Sequence, residues 1–303
     1  MKISNSRLQA KRNHPSFSFL FSVFILLVCL TAPFTWTNKI RTSELVVSNK
    51  DIPMAFDGYK IVQLSDIHAD YFPKGKLLEE AVDIINKVNA DLILITGDFV
   101  SYKSAELNHL MEILKRFQST DGVYVVLGNH DYGTYYHWKN EELKENNFKE
   151  LLSCFNNLDW NLLQNETVFI VKDNDSIALA GTEHYSRKES HYPSAANINL
   201  ALKDVPKTMP VICMTHNPEY WADTIRYIDN YVFLTLSGHT HGMQIGIHGN
   251  AKINMYRLKN KFTAGLYKNG NRYLYINTGF GTVGFPFRIG LKPEITVVEL
   301  RVM

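Results

Sequence analysis

Between residues 59 and 127 short apolar runs alternate with helical patterns, and that alternation constrains the fold more than any other feature. Tyr59–Ser65 (YKIVQLS), Leu92–Thr96 (LILIT) and Gly122–Leu127 (GVYVVL) read as strands. Between the first two, Leu77, Leu78, Ala81, Val82, Ile84, Ile85 and Val88 recur at helical spacing, and Leu107–Phe117 is helical again. This β-α-β-α-β order predicts strands covered by helices, an α/β sandwich. Further along, Glu141–Cys154 reads as a helix, and Thr167–Val171 with Ser176–Ala180 as a hairpin around Lys172–Asp175. Val211–Thr215, Val232–Leu236, Gln244–Ile247, Tyr273–Asn277 and Ile295–Leu300 are further strand candidates. They predict a second sheet, mixed or antiparallel, facing the first. Residues 183–208, rich in Tyr, His, Ser and Asn, read as an insertion.

The N-terminal segment has a different character. No charge occurs from Pro15 to Asn38, and Phe17–Trp36 is long enough to cross a hydrocarbon core as one helix. Lys2, Arg7, Lys11 and Arg12 precede it without an acid, whereas Lys39, Arg41 and Lys50 are diluted by Glu44 and Asp51. The expectation is a transmembrane helix with its N-terminus inside and the body outside. The competing reading, a cleaved signal peptide, fits less well, because no small-x-small site follows the run. The expected layout is a basic tail and anchor over 1–38, a polar tether over 39–57 and one domain over 58–303. The formal net charge is +2 with no Lys/Arg block in the body, which argues against a protein made to hold a nucleic acid backbone. Cys29, Cys154 and Cys213 have no zinc-finger spacing and are expected free.

Five short motifs follow predicted strands in one order. They are Asp66-Ile67-His68, Gly97-Asp98, Gly128-Asn129-His130-Asp131, Thr215-His216-Asn217 and Gly238-His239-Thr240-His241. In α/β sheets ligands gather at the carboxyl ends of strands, so these residues are expected on one rim. Two divalent cations ~3.5–4 Å apart can clamp both oxygens of an in-line displacement at phosphorus. Asp66, Asp98, Asn129, His68, His216, His239 and His241 supply the mixture of oxygen and imidazole that such a pair requires. Imidazole-rich sites suit Mn, Fe or Zn, and all-oxygen sites suit Mg or Ca. Any one of these histidines taken alone is more simply a structural residue, and a lone Gly-Asp is an ordinary turn. Five of the 11 histidines falling in such motifs is not an accident of composition.

Taken together, Asp66-x-His68, Gly97-Asp98, Gly128-Asn129-His130-Asp131, His216 and Gly238-His239-x-His241 resemble the signature of the calcineurin-like metallophosphoesterase superfamily. The resemblance runs from about Lys60 to the C-terminus. With the apolar N-terminus and Gly281-Thr-x-Gly-x-Pro-x-Arg288, it is similar to the bacterial membrane-associated phosphodiesterase branch. That branch includes enzymes cleaving UDP-2,3-diacylglucosamine and general phosphodiesterases. The resemblance implies a four-layer α/β/β/α sandwich behind one N-terminal transmembrane helix. It implies two divalent metal ions, Mn before Fe, Zn or Mg. One would be held by Asp66, His68, Asp98 and His241, the other by Asp98, Asn129, His216 and His239, with Asp98 bridging. A bridging hydroxide would attack phosphorus, and His130 would be the non-ligand catalytic histidine. The implied substrate is a phosphodiester or pyrophosphate, lipid-linked if the anchor confines the site to a membrane.

Some relatives carry an acid three residues after the bridging Asp to orient the catalytic histidine. Ser101 stands there in this chain, which leaves Asp131 or Asp70 to take over, or His130 to act as a hydrogen-bond donor. Arg288 is a candidate phosphate clamp, Tyr135, Tyr136, His137 and Trp138 a candidate lip, and His184, Tyr185, His191 and Tyr192 candidate substrate contacts. For each, the bland alternative is a structural or surface residue. Two other functions compete: a nucleotidase or nuclease of the same superfamily, and a non-catalytic metal-binding scaffold. The full ligand set with His130 argues against the second.

Overall fold

The computed structural model describes residues 16–35 (side chains to residue 27), 39–72, 74–187, 194–246 and 262–303. Among these residues, twelve strands make two six-stranded sheets. The first contains β1 (Arg41–Asn49), β2 (Lys60–Leu64), β3 (Leu92–Thr96), β4 (Val123–Val126), β5 (Asn161–Leu162) and β12 (Glu294–Val302), in the order β1-β12-β2-β3-β4-β5. The second contains β6 (Glu166–Lys172), β7 (Asp175–Gly181), β8 (Val211–Met214), β9 (Val232–Ser237), β10 (Gly265–Asn269) and β11 (Arg272–Ile276), in the order β10-β11-β9-β8-β7-β6. Both sheets are mixed: β2, β3 and β4 run parallel, as do β7, β8 and β9, while β12 against β2 and β6 against β7 are antiparallel.

Alternation along the strands sorts side chains into three apolar layers. Ile61, Leu92, Leu94 and Leu300 face inward and meet Leu179, Ile212, Leu234 and Leu236 of the second sheet. Val62, Leu64, Ile93 and Ile95 face outward and are covered by α2 (Lys76–Val88) and α4 (Glu141–Asn157). On the far side, Ala178, Ala180, Cys213 and Ile276 are covered by α5 (Ile198–Ala201) and α6 (Glu219–Asp223). The result is helix, sheet, sheet, helix, which agrees with the expected sandwich. Cys154 and Cys213 are buried free thiols.

Several expectations need correcting. Residues 39–57, read as a tether, contain β1, which pairs in parallel with β12 from Arg41↔Glu294 to Asn49↔Val302. Its sequence RTSELVVSN is polar because only alternate positions, Ser43, Val47 and Asn49, are buried. The helix expected over 107–117 is only α3 (Met111–Leu114), preceded by a 3-10 turn at Ser104–Leu107. Gln244–Ile247 is no strand in its described part. His241–Gln244 is a 3-10 turn kinked at Gly242 and Met243, and only Ile245 makes a bridge. The expected membrane span coincides with α1 (Phe17–Thr35), but among the described residues no helix is long and apolar enough to cross a membrane. Its described side chains end at Leu27, about 16 Å of helix from Phe17, roughly half a hydrocarbon core. Trp36–Asn38, His191 and Tyr192 lie outside the described residues.

Candidate metal centre

Each motif sits where a buried strand stops. Asp66 and His68 follow β2, Asp98 follows β3, Asn129 and His130 follow β4, His216 follows β8, and His239 and His241 follow β9. The parallel strands bring these carboxyl ends to one rim. The backbone leaves them in an uncommon conformation: Asp66, His68, Asp98, His239 and His241 all have positive φ, between 47° and 70°. Non-glycine residues persist there only when their surroundings over-determine them, and such strain gathers at functional sites. The restraint is visible. Asp66 N–H donates to Gly97 O at 2.9 Å, His68 N–H to Asp98 O at 3.1 Å, and Gly281 N–H to Asp66 O at 2.7 Å.

Glycine acts here in two ways. Gly97 has φ +87° and makes the turn before Asp98. Gly128 and Gly238 are needed for proximity instead: a Cβ at Gly128 would overlap Asp98 Oδ1, and one at Gly238 would overlap Ser65 Oγ and Asp66 Oδ2.

The structure brings all eight residues expected at the site together. Ligand atoms of Asp66, His68, Asp98 and His241 lie within 4.8 Å of one another, as do those of Asp98, His216 and His239, and Asp98 belongs to both groups. Asn129 Oδ1 stands 3.2 Å from His216 Nε2. His68 Nε2 faces His241 Nε2 at 3.2 Å, and His216 Nε2 faces His239 Nδ1 at 3.1 Å. Two imidazole lone pairs aimed at each other need a proton or a cation between them. Nitrogen and carboxylate donors on one ion at ~2.0–2.2 Å lie about 3 Å apart, so the donor set fits two cations sharing Asp98.

Backbone and side-chain partners define which ring nitrogen each histidine presents. His216 Nδ1 donates to Thr96 O at 2.7 Å, so Nε2 turns inward. His68 Nδ1 donates to Ser101 Oγ at 3.0 Å, and that hydroxyl donates to Asp70. The Asp70–Ser101 pair thus holds a histidine of the cluster in one tautomer. His130 Nδ1 lies 2.8 Å from Ser101 O. A carbonyl only accepts, so Nδ1 carries the proton and Nε2 is presented to substrate. Neither Asp70 nor Asp131 orients His130. Asp131 instead accepts amides from Asp98, Phe99, Val100 and Gly128, at 2.8–3.3 Å, tying the β3 and β4 turns together.

Burial dominates the electrostatics of the protein groups at the centre. It holds His68 and His239 down to about 3, each ring further disfavoured by charge on other histidines. Asp66 is pushed up to about 6, mainly by burial, against the pull of His216. His216 goes the other way. Burial disfavours its charged form, but the Asp98 carboxylate at 3.1 Å, with Asp66, outweighs it and raises the ring to about 9.

Tyr135 has a role that its sequence position did not reveal. Asn129 Nδ2 donates to Tyr135 Oη at 2.8 Å, which leaves Asn129 Oδ1 toward the cluster, and the Tyr135 ring stacks on His130 at 3.9 Å. Trp138 donates to Gly133 O at 2.6 Å and packs edge-on to Tyr136. That part of the expected lip is a packed loop. Arg288 is no phosphate clamp: it is fully buried and donates to Thr278 O at 2.8 Å and Gly281 O at 3.1 Å. Tyr185 binds Asp223 at 2.9 Å and stacks on Tyr220, while His184 stays beside the cluster, 6.3 Å from the His216 ring.

Facing sheets with a carboxylate shared by two donor clusters make a candidate dinuclear metal centre. The chain belongs to the calcineurin-like phosphoesterase family, whose signature matches residues 59–243, and it is a metal-dependent phosphoester hydrolase. It is 30% identical over 269 residues to the uncharacterized metallophosphoesterase YkuE of Bacillus subtilis, covering 87% of this chain and 86% of that one. A transmembrane protein with metallophosphoesterase domain from Danio rerio is 27% identical over 308 residues, covering 99% of this chain and 67% of that protein. Among solved structures, the phosphopantetheinyl hydrolase PptH of Mycobacterium tuberculosis aligns with a TM-score of 0.46 at 9% identity, covering 76% of this chain and 91% of that one.

Proposed function

We propose that the chain is a membrane-held phosphodiesterase or pyrophosphatase that works with two divalent cations, manganese foremost, on a lipid-linked substrate. One observation carries the reading: Asp98 is shared by two donor clusters, and His130 donates its amide to the same carboxylate at 2.9 Å. Asp66, His68, Asp98 and His241 would hold one cation, and Asp98, Asn129, His216 and His239 the other. The cations supply Lewis-acid polarisation of the phosphoryl oxygens and acidify water at the site.

The protein's own residues do the rest. His130, with its Nδ1 proton committed to Ser101 O, presents Nε2 to hold a proton for the leaving oxygen. Tyr135 fixes the ring plane by stacking, and Asp131 keeps the turns that carry Asp98 and His130 in register. The uncharged run Phe17–Trp36, with Phe17–Leu27 exposed on α1, supports anchoring, and the basic residues before it support an inside N-terminus with the catalytic body outside.

The test is hydrolysis of bis(p-nitrophenyl) phosphate and of the monoester by the full chain, after chelation and Mn²⁺ add-back, with His130→Ala as control. The expected result is diesterase activity exceeding monoesterase activity, restored by metal and lost in the variant. A folded, metal-loaded protein inert on both esters would overturn the reading. Protease digestion of intact cells, cleaving the body only if it lies outside, tests the topology.

A further inference from the structure

Beside the donor clusters lies a cavity of about 370 Å³, lined by Asn129, Tyr132, Phe148, His184 and Ala195, with the charged residues of α4 along one side. Its wall is mostly carbon. Tyr132 and Phe148 stack at 5.5 Å with their planes 13° apart and form an aromatic floor. Lys144, which also lines it, is paired with Glu141 at 2.9 Å, so its charged head is engaged.

The cavity borders the proposed catalytic site. Asn129 belongs to both, and His184 joins them, its ring 6.4 Å from His239 on one side and 6.4 Å from Tyr132 on the other. A phosphodiester has two ester arms. One departs with the proton that His130 provides, and the other must rest against the protein beside the phosphorus.

We propose that this cavity seats the retained arm of the substrate, and that this arm is an alkyl chain. The inference rests on the phosphodiesterase reading given above. A carbon-rich wall rewards buried methylenes, each worth about fourfold in binding. A nucleoside needs several fixed polar partners; the charged residues around this cavity, Glu141, Lys144, Glu145 and Lys149, are long side chains of α4, and little polar surface faces inward.

The experiment compares p-nitrophenyl phosphodiesters whose second arm is methyl, octyl or thymidine, using the full chain loaded with Mn²⁺. The kcat/KM for the octyl ester is expected to exceed that for the methyl ester at least tenfold, mostly through KM. That octyl-to-methyl ratio should fall at least fivefold in Phe148→Ala and to about one in Ala195→Trp, which fills the cavity from an exposed position. Equal rates for octyl and methyl, a ratio unmoved by both variants, or a preference for the thymidine ester would each overturn the proposal. Calorimetry with octyl phosphate and methyl phosphate separates it from the activity it rests on. At least tenfold tighter octyl binding, lost in Ala195→Trp, would uphold the cavity even if no ester were turned over, and that pattern would sink the diesterase reading alone. Equal binding of the two would sink the cavity proposal whatever the turnover.

Discussion

Ser101 touches two histidines of the centre through different atoms. Its carbonyl accepts from His130 Nδ1, and its hydroxyl bridges His68 Nδ1 to Asp70. The two functions separate by substitution. Ser101→Ala keeps the carbonyl and removes the bridge, so the Mn²⁺ concentration for half-maximal activity should rise about 10- to 100-fold while kcat at saturating metal stays near wild type. A fall in kcat that excess metal does not restore would show that the hydroxyl serves His130 instead. His130→Ala should behave in the opposite way, losing about 10²- to 10⁴-fold in kcat with the Mn²⁺ titration unmoved. At Gly128 a methyl group would meet Asp98 Oδ1, so Gly128→Ala should displace the shared carboxylate. Equilibrium dialysis should then find fewer than two tightly held cations. Two retained at wild-type affinity would refute that steric argument.

The elements show where local pattern suffices. Leu92–Thr96 was legible to the residue because a five-residue run, apolar on both faces and rich in β-branched side chains, is too short for a buried helix and suits a buried strand. The helix Lys76–Val88 was legible because one stripe of its side chains is buried. β1 was not, since an edge strand with one covered face carries Arg, Thr, Ser and Glu outward and reads as a tether. Its partner β12 lies at the other end of the chain, and no local signal reports a pairing of Arg41 with Glu294. Val47 distinguishes the two descriptions, being 1% exposed and packed between the sheets. Val47→Ala should cost about 1.5–3 kcal/mol in denaturant unfolding. A change below experimental error would mean that the segment contributes no packing.

For the whole molecule, the metal centre is a stability element as well as a chemical one. Buried imidazoles and carboxylates that face one another without a cation weaken the folded state, and a ligand that binds only the native protein stabilises it by mass action. Chelation is therefore expected to lower the thermal midpoint, with recovery that depends on Mn²⁺ concentration. The pH dependence of the stripped protein has a definite sign. His216 is raised from 6.5 to about 9, and Asp131 from 3.8 to about 7, chiefly by burial and then by Asp98. A group raised in the native state binds more protons there than in the unfolded chain. For His216 that stabilisation is complete below about 6.5 and is lost as pH climbs through 9. The midpoint of chelated protein should fall between pH 7 and 9. Saturating Mn²⁺ should offset the fall, because the cation replaces the proton and binds more tightly as protons leave. A chelated midpoint rising over that interval would contradict the assigned partners of His216.

The sequence by itself determined the strands β2, β3, β4, β8 and β9 that end at the site and the identity of the side chains clustered there, because ligand chemistry is written in side chains and strand ends are marked by local periodicity. Only the tertiary structure decided the rest: that a backbone carbonyl orients His130, that Arg288 is consumed by the carbonyls of Thr278 and Gly281, that β1 joins the sheet, and that an apolar cavity opens beside Asn129. Carbonyls are the same at every residue, and cavities and edge pairings arise from contacts between segments far apart in the chain. Neither leaves a mark that can be read at one position.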